Sequence, residues 1–463
     1  MSTAPMTRAA HARAILALGL PLIGGHLAQF AIGLTDTVMM GWYGVPELAA
    51  MTLATSLYHV FLLFGAGFGW AVMPMVAGFA TTGDDQQIRR ATRMGLWLSA
   101  IFFFAVMPLM WASAPILRAI GQEEQVALDA QTYLRIAGWG MLPALGVMVL
   151  RNYLAGLEHT RIVFWITVAA AIANALANYA LIFGNWGAPE MGLRGAAWAS
   201  VVSHSVSLVL VIAYALRRLP EHALFQRLWR PDWEMFASVA RLGIPIGLTT
   251  LAEVALFAMS AVMMGWLGTI PLAAHGIALQ IATATFMVHL GLANAATVRA
   301  STAYGRRDAQ HLARGAQVAV MLSLGMVALA TVLFVTLPDL LLGAFVDPTD
   351  PARDAIIALG TLLLIFAALF QLVDAMQVVN LGLLRGLQDT SVPMVIASLA
   401  YWGVGLPCAY VFGFVLDFGA GGIWSGLVSG LGVAAVLLAW RFWRIKLPEL
   451  TGQRGLAPGR IAH

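Results

Sequence analysis

The chain has 463 residues, 60% of them hydrophobic and only 10% charged, with a net charge of +4 and a mean hydropathy of +0.82. Soluble domains carry roughly 25% charged residues, so a soluble globular fold is excluded and an all-α polytopic membrane protein is expected. A single cysteine, Cys408, excludes a disulfide framework and CxxC metal or redox chemistry. The sequence pI is near 9.4, yet the basic residues form no aromatic-interleaved stripe of the kind that binds nucleic acid.

The first apolar segment starts near Ala14 and runs past Thr35 without a small-residue cleavage pattern, which reads as a retained span rather than a signal peptide. Further runs such as Ile101–Trp111, Ile162–Phe183 and Val318–Leu337 lie in windows matching the ~20 residues a bilayer requires. Charged and Gly/Pro breaks divide the whole chain into twelve such spans. Arginines crowd alternate connections: Arg89, Arg90 and Arg93 after span two; Arg151 and Arg161 around the loop after span four; Arg217, Arg218, Arg227, Arg230 and Arg241 after span six. Arg299, Arg306, Arg307 and Arg314 follow span eight and Arg385 follows span ten, whereas the intervening connections carry only Arg118, Arg135, Arg194 and Arg353. By the positive-inside rule both termini are expected in the cytoplasm, which requires an even number of spans and so agrees with twelve.

The word VMMGW occurs twice, at Val38–Trp42 and Val262–Trp266, an offset of 224 residues when Val262 is set against Val38. The same offset sets Gly19-Leu20-Pro21 against Gly243-Ile244-Pro245, Gly44 against Gly268, and Leu48–Ala50 against Leu272–Ala274. Later, GLEHT (Gly156–Thr160) answers GLQDT (Gly386–Thr390) and GAAW (Gly195–Trp198) answers GGIW (Gly421–Trp424). A duplicated six-helix unit follows: residues 1–216 form an N-terminal bundle, 217–236 a cytoplasmic linker and 237–463 a C-terminal bundle. Six is even, so both bundles share one orientation. They are expected to be related by a pseudo-two-fold along the membrane normal, with a cavity between them.

Residues that break the repeat are the functional candidates. Asp36, Glu253 and Asp374 lie inside spans, where an unpartnered acid costs about 2.5–3.5 kcal/mol, so a hydrated or cation-linked role is expected. The offset pairs Asp36 with Ser260 and Glu253 with Gln29, giving the two halves different ion chemistry. Asn174 and Asn178, at i and i+4 in ANALANYA, share a helical face. Their amides can assist a carboxylate in holding Na+ or a proton, or join two helices. Span ten offers Gln371, Asp374 and Gln377, and span two Thr52, Thr55, Ser56 and His59. His26, His59, His204 and His289 share no metal-ligand spacing, so no metal site is expected there. No P-loop is present and Lys446 is the sole lysine, which removes ATP as a direct energy source.

The stretches GLPLIGGHLAQFAIGLTDTVMMG, PLAAHGIALQIATATFMVHLGLANAATVRAS and LLRGLQDTSVPMVIASLAYWGVGLPCAYV carry a likeness over nearly the whole chain. In them the chain resembles the multidrug and toxic compound extrusion (MATE) transporters, in their bacterial NorM-like branch. The resemblance implies a twelve-helix, two-lobe exporter of amphipathic organic cations, drugs and dyes, driven by H+ or Na+ and alternating between inward-open and outward-open forms. It implies a monomer in the bacterial inner membrane, with no cofactor beyond the coupling ion. The family's first-helix acid falls on Asp36, its fifth-helix amides on Asn174 and Asn178, its seventh-helix glutamate on Glu253, its tenth-helix aspartate on Asp374, and its first-helix bend on Pro21. The resemblance thus places the driving cation, Na+ included, at Asp36, Asn174 and Asn178. It places a substrate or cation cavity at Glu253, Asp374, Gln371, Gln377, Gln280 and Phe286. Two departures, His275-Gly276 where relatives read His-Gln and Phe286 where some carry tyrosine, remove an amide and a hydroxyl near Glu253 and favour protons there. A lipid-linked precursor flippase would call for a strongly basic cavity, and an intramembrane enzyme for a nucleophile–base pair or metal set. The spans offer neither, and a passive channel does not account for the asymmetric acids.

Overall fold

Hydrocarbon supplies no partner for backbone N–H and C=O groups, so an apolar segment that crosses it closes its hydrogen bonds within itself as a helix. The computed structural model describes residues 6–452 and follows this rule. Twelve helices are long and apolar enough to span a membrane: α1 Arg8–Tyr43, α2 Val45–Ala80, α3 Asp85–Trp111, α4 Glu124–Gly156, α5 Thr160–Phe183 and α6 Leu193–Arg218, then α7 Trp233–Leu267, α8 Thr269–Gly305, α9 Ala309–Thr336, α10 Arg353–Gly386, α11 Ser391–Val415 and α12 Gly419–Leu450. They form two sets of six, as expected from the repeat, and no strand occurs among the described residues. Matching punctuation opens the third helix of each set. Asp84 accepts from Gln87 N at 3.0 Å ahead of α3, and Asp308 accepts from His311 N at 2.9 Å ahead of α9, each satisfying an amide that a helix start leaves open.

Packing divides the chain differently from chain order. One compact unit is Gly24–Leu251; the other is the chain up to Ile23 together with everything from Ala252 onward. The boundaries at 1–216 and 237–463 therefore do not outline packing units. Both α1 and α7 are cut within the helix, a few residues beyond Pro21 and Pro245. Glycines supply the physical reason, because a crossing without side chains lets two backbones touch. Within the Gly24–Leu251 unit, a Cβ on Gly67 of α2 would fall on the carbonyl oxygen of Gly243 and 2.7 Å from the nitrogen of Gly247, both in the first half of α7. Met235, Val239 and Ile246 from that half of α7 join Phe68, Val72, Met94 and Val149 in one apolar core. In the other unit a Cβ on Gly291 of α8 would stand 2.8 Å from the nitrogen of Ile23 in α1. The repeat extends to a second crossing in each unit: a Cβ on Gly156 would meet Met73 O at 2.8 Å, and one on Gly386 would meet Thr297 O at 2.7 Å.

The segment between α6 and α7 is fastened to its own unit. Arg90 of α3 donates to Asp232 at 2.5 and 3.1 Å and to Glu234 at 2.9 Å, and holds the Asp232 carboxyl below the usual carboxylate range. Trp97 donates its indole N–H to Leu228 O at 2.7 Å, and His222 is buried with its Nδ1 2.5 Å from Tyr153 Oη. The chain ends 1–5 and 453–463, on which the expectation of cytoplasmic termini partly rests, lie outside the described residues.

The Gly67–Gly243 crossing can be tested directly. Gly67→Ala is expected to destabilise the protein by about 1–3 kcal/mol, as overpacking against unyielding backbone does. Gly276→Ala, whose Cβ would meet nothing within 4 Å, is expected to leave thermal unfolding in detergent unchanged or slightly improved.

Candidate cation sites

Asp36 lies in the second half of α1, and α5 brings its asparagine face to it. Asn174 and Asn178 are wholly buried. Asn178 Nδ2 donates to Asp36 Oδ1 at 2.5 Å and to Asn174 Oδ1 at 3.2 Å. That one amide is committed twice, while Asn178 Oδ1 and Asn174 Nδ2 have no hydrogen-bond partner among the described residues. An unpartnered buried polar atom costs on the order of 1–3 kcal/mol, so a carboxylate beside an orphaned amide oxygen is a place where a small cation or a proton is favoured. Tyr133 of α4, also buried, stands within electrostatic reach of Asp36.

A second cluster occupies the other packing unit. Gln377 Nε2 of α10 donates to Tyr401 Oη at 2.5 Å and to Glu253 Oε1 of α7 at 3.4 Å. Gln371 Nε2 donates to Ala282 O of α8 at 3.0 Å. Asp374 lies between these two glutamines in sequence and is buried with them, 1% exposed. The oxygens Gln371 Oε1, Asp374 Oδ1, Gln377 Oε1 and Asn380 Oδ1 all lack a partner among the described residues. Four buried acceptors at three-residue steps along α10 make this region rich in acceptors and short of donors. The charge of Arg385, in the last turn of α10, acts on both Glu253 and Tyr401.

The structure thus joins Asp36 with Asn174 and Asn178, and Glu253 with Gln377. It joins neither Gln280, which is exposed on α8, nor Phe286, which is half-buried there, to the hydrogen bonds of the second cluster. His275, next to Gly276, accepts from the Trp424 indole at 3.1 Å and faces Ser260 Oγ at 3.4 Å, so the repeat partner of Asp36 meets a histidine instead of asparagines. Sequence reasoning missed Tyr133, Tyr401, Arg385 and the Trp424–His275 pair. A tyrosine hydroxyl deep in an apolar span signals a partner, but not which one. The polar face of α2 turns inward on its own backbone: Thr52, Thr55, Ser56 and His59 bond to the carbonyls of Leu48, Met51, Thr52 and Thr55. His289 bonds Ser323 at 2.8 Å. Pro21 sits inside α1, which is helical on both sides of it.

A model of the MatE family matches residues 21–180 and 245–411, spanning both packing units and nearly every residue of the two clusters. The chain belongs to the MatE family. It is a multi-pass membrane transporter and not an enzyme. Among its relatives, proteins named "Probable multidrug resistance protein NorM" from Rhizobium meliloti and Agrobacterium fabrum are 45% and 42% identical to it. The alignments cover 94% of both chains in the first case and 93% of both in the second. Among solved structures, a eukaryotic MATE transporter superposes with a TM-score of 0.86 at 16% identity, covering 96% of this chain and 98% of that one. A MATE protein in a bent conformation gives 0.86 at 20%, covering 96% and 97%. At such identities these structures bear on the fold alone. In this MatE chain the Gln377–Tyr401 contact should be energetically coupled. Tyr401→Phe and Gln377→Leu are each expected to lower stability by about 0.6–1.7 kcal/mol, the scale of membrane hydrogen bonds. The double variant should lose less than the sum. Additive losses in detergent unfolding would show that the pair does not interact.

Proposed function

We propose that the protein is a secondary multidrug efflux antiporter that exchanges H+ or Na+ for amphipathic organic cations by alternating access. It would act as a monomer in a bacterial inner membrane, with both termini cytoplasmic as the arginine-rich connections suggest. The multidrug-resistance names of its relatives support the efflux reading. The observation that carries the coupling reading is the Asp36 cluster, where a carboxylate and the buried amide oxygen of Asn178 converge while both N–H groups of Asn178 are already used. Asp36, Asn174 and Asn178 would take up the driving cation, and an entering cation or proton would meet the Asp36 carboxylate and the unpartnered Asn178 Oδ1. Glu253 and Asp374, with Gln371 and Gln377, would chiefly serve the drug. In this reading residues 1–216 and 237–463 are the two copies of the duplicated unit, and Pro21 marks a point where α1 can bend, since a proline interrupts the helical hydrogen-bond ladder.

The test is efflux from proteoliposomes under separately imposed proton and sodium gradients. Asp36→Asn keeps the shape but cannot exchange charge. It is expected to reduce gradient-driven efflux to the level of protein-free vesicles, with Asn174→Ala and Asn178→Ala retaining a fraction. Wild-type rates from Asp36→Asn would overturn the assignment. The drug role of the second cluster predicts that Glu253→Gln/Asp374→Asn weakens binding of cationic dyes by about tenfold or more, the scale of a lost charge-assisted contact, and of neutral analogues much less. Equal losses for both dye classes would assign these acids to coupling alone.

A further inference from the structure

Outside both clusters, a groove runs between the start of α5 and the end of α6, at the arginine-rich end of these spans. Its wall is apolar, from Ile162, Trp165 and Ile166 on α5 and Leu210 and Ala213 on α6, and its rim carries Arg217 and Arg218. The groove measures about 480 Å³, within the roughly 300–1,000 Å³ of small-molecule sites. Both helices are membrane spans, so the apolar length of the groove lies against lipid. Trp165, 62% exposed, lies in the second turn of α5, and tryptophan is enriched near the ends of membrane spans. Tyr214 also lines the groove, and its hydroxyl is already engaged by His159 Nδ1 at 2.9 Å, which presents the ring as a fixed surface.

We propose that this groove holds one anionic phospholipid, with an acyl chain along the α5–α6 wall and the phosphodiester at Arg217 and Arg218. The argument is charge complementarity. Both guanidinium groups are exposed, and among the described residues neither forms an ion pair, whereas Arg90 and Arg441 are each locked onto carboxylates. Arginine's planar fork matches phosphate oxygens. α5 starts without a side-chain cap, so its first-turn amides are further donors to an anion at the same level. The two arginines also exclude the organic cations proposed as transport substrates, which sets this groove apart from the acidic clusters. It is the kind of basic, apolar-backed recess between spans that selects anionic headgroups.

Native mass spectrometry of the full detergent-purified chain tests the proposal, with titrations of phosphatidylglycerol, phosphatidylcholine and inorganic phosphate. Phosphatidylglycerol is expected to bind in preference to phosphatidylcholine. Arg217→Gln/Arg218→Gln is expected to weaken it by about tenfold or more, each arginine near a membrane surface contributing on the order of fivefold. Arg217→Lys/Arg218→Lys should keep most of the affinity, which separates loss of charge from loss of fold. Equal binding of the two lipids, or unchanged phosphatidylglycerol affinity in the glutamine variant, would overturn the proposal. Displacement of phosphatidylglycerol by inorganic phosphate alone would also overturn it, by reducing the site to a headgroup pocket.

Discussion

A hydrocarbon environment tolerates almost no unmatched polar group, and every feature of this protein is arranged around that constraint. It turns twelve apolar segments into self-satisfied helices. It folds the hydroxyls of α2 back onto their own carbonyls, and it replaces side chains with glycine where helices must approach closely. Against so thorough a settlement of hydrogen bonds, the few oxygens left over stand out. Hydroxyls of Tyr58, Ser99, Ser113 and Thr390 are scattered among them, whereas the carbonyl and carboxyl oxygens left over in the described residues are Asn178 Oδ1, beside Asp36, and the row along α10 from Gln371 to Asn380.

The two gatherings differ in kind. The first is small, one carboxylate and two amides drawn from two helices. The second draws on α7, α8, α10 and α11, contains two acids, and has a tyrosine and an arginine beside it. Compact sites suit a compact ligand such as a proton or a bare cation, and extended ones suit a ligand with more than one recognisable part. The repeat makes the contrast sharper, since Ser260, which answers Asp36, is paired with His275 and Trp424 in a neutral arrangement.

Much of this was legible in the sequence because membrane chemistry penalises polar residues so heavily. Asp36, Asn174 and Asn178 were exposed as a set by their rarity in apolar surroundings, though distance along the chain said nothing of their contact. The capped helix starts at Asp84 and Asp308 stand at the same 224-residue offset, a correspondence that the structure adds to those read from the sequence. Other features depend on three-dimensional approach and leave no local mark. Tyr401 was one aromatic among many, Arg385 read as a loop charge although it ends a helix beside Glu253, and Gln280 and Phe286 entered by resemblance yet take no part in the second cluster's bonds. The division of packing within α1 and α7 was likewise invisible, because it rests on which glycine meets which backbone across long separations.

That division bears on how such a chain could arise and be assembled. Neither half of the chain contains a complete packing unit, since each unit takes the first part of its α1 or α7 from beyond the boundary of chain order. A half-length polypeptide would bring its own Gly67-type notch and its own Gly243-type ridge but would have to find the counterpart on a second copy. If the present chain descends from duplication, a single copy would have lacked the leading-helix segment that each packing unit now takes from the other half of the chain. Synthesis of the modern protein would then leave the first turns of α1 without a resting place until α8 emerges, well after the first six spans have entered the membrane.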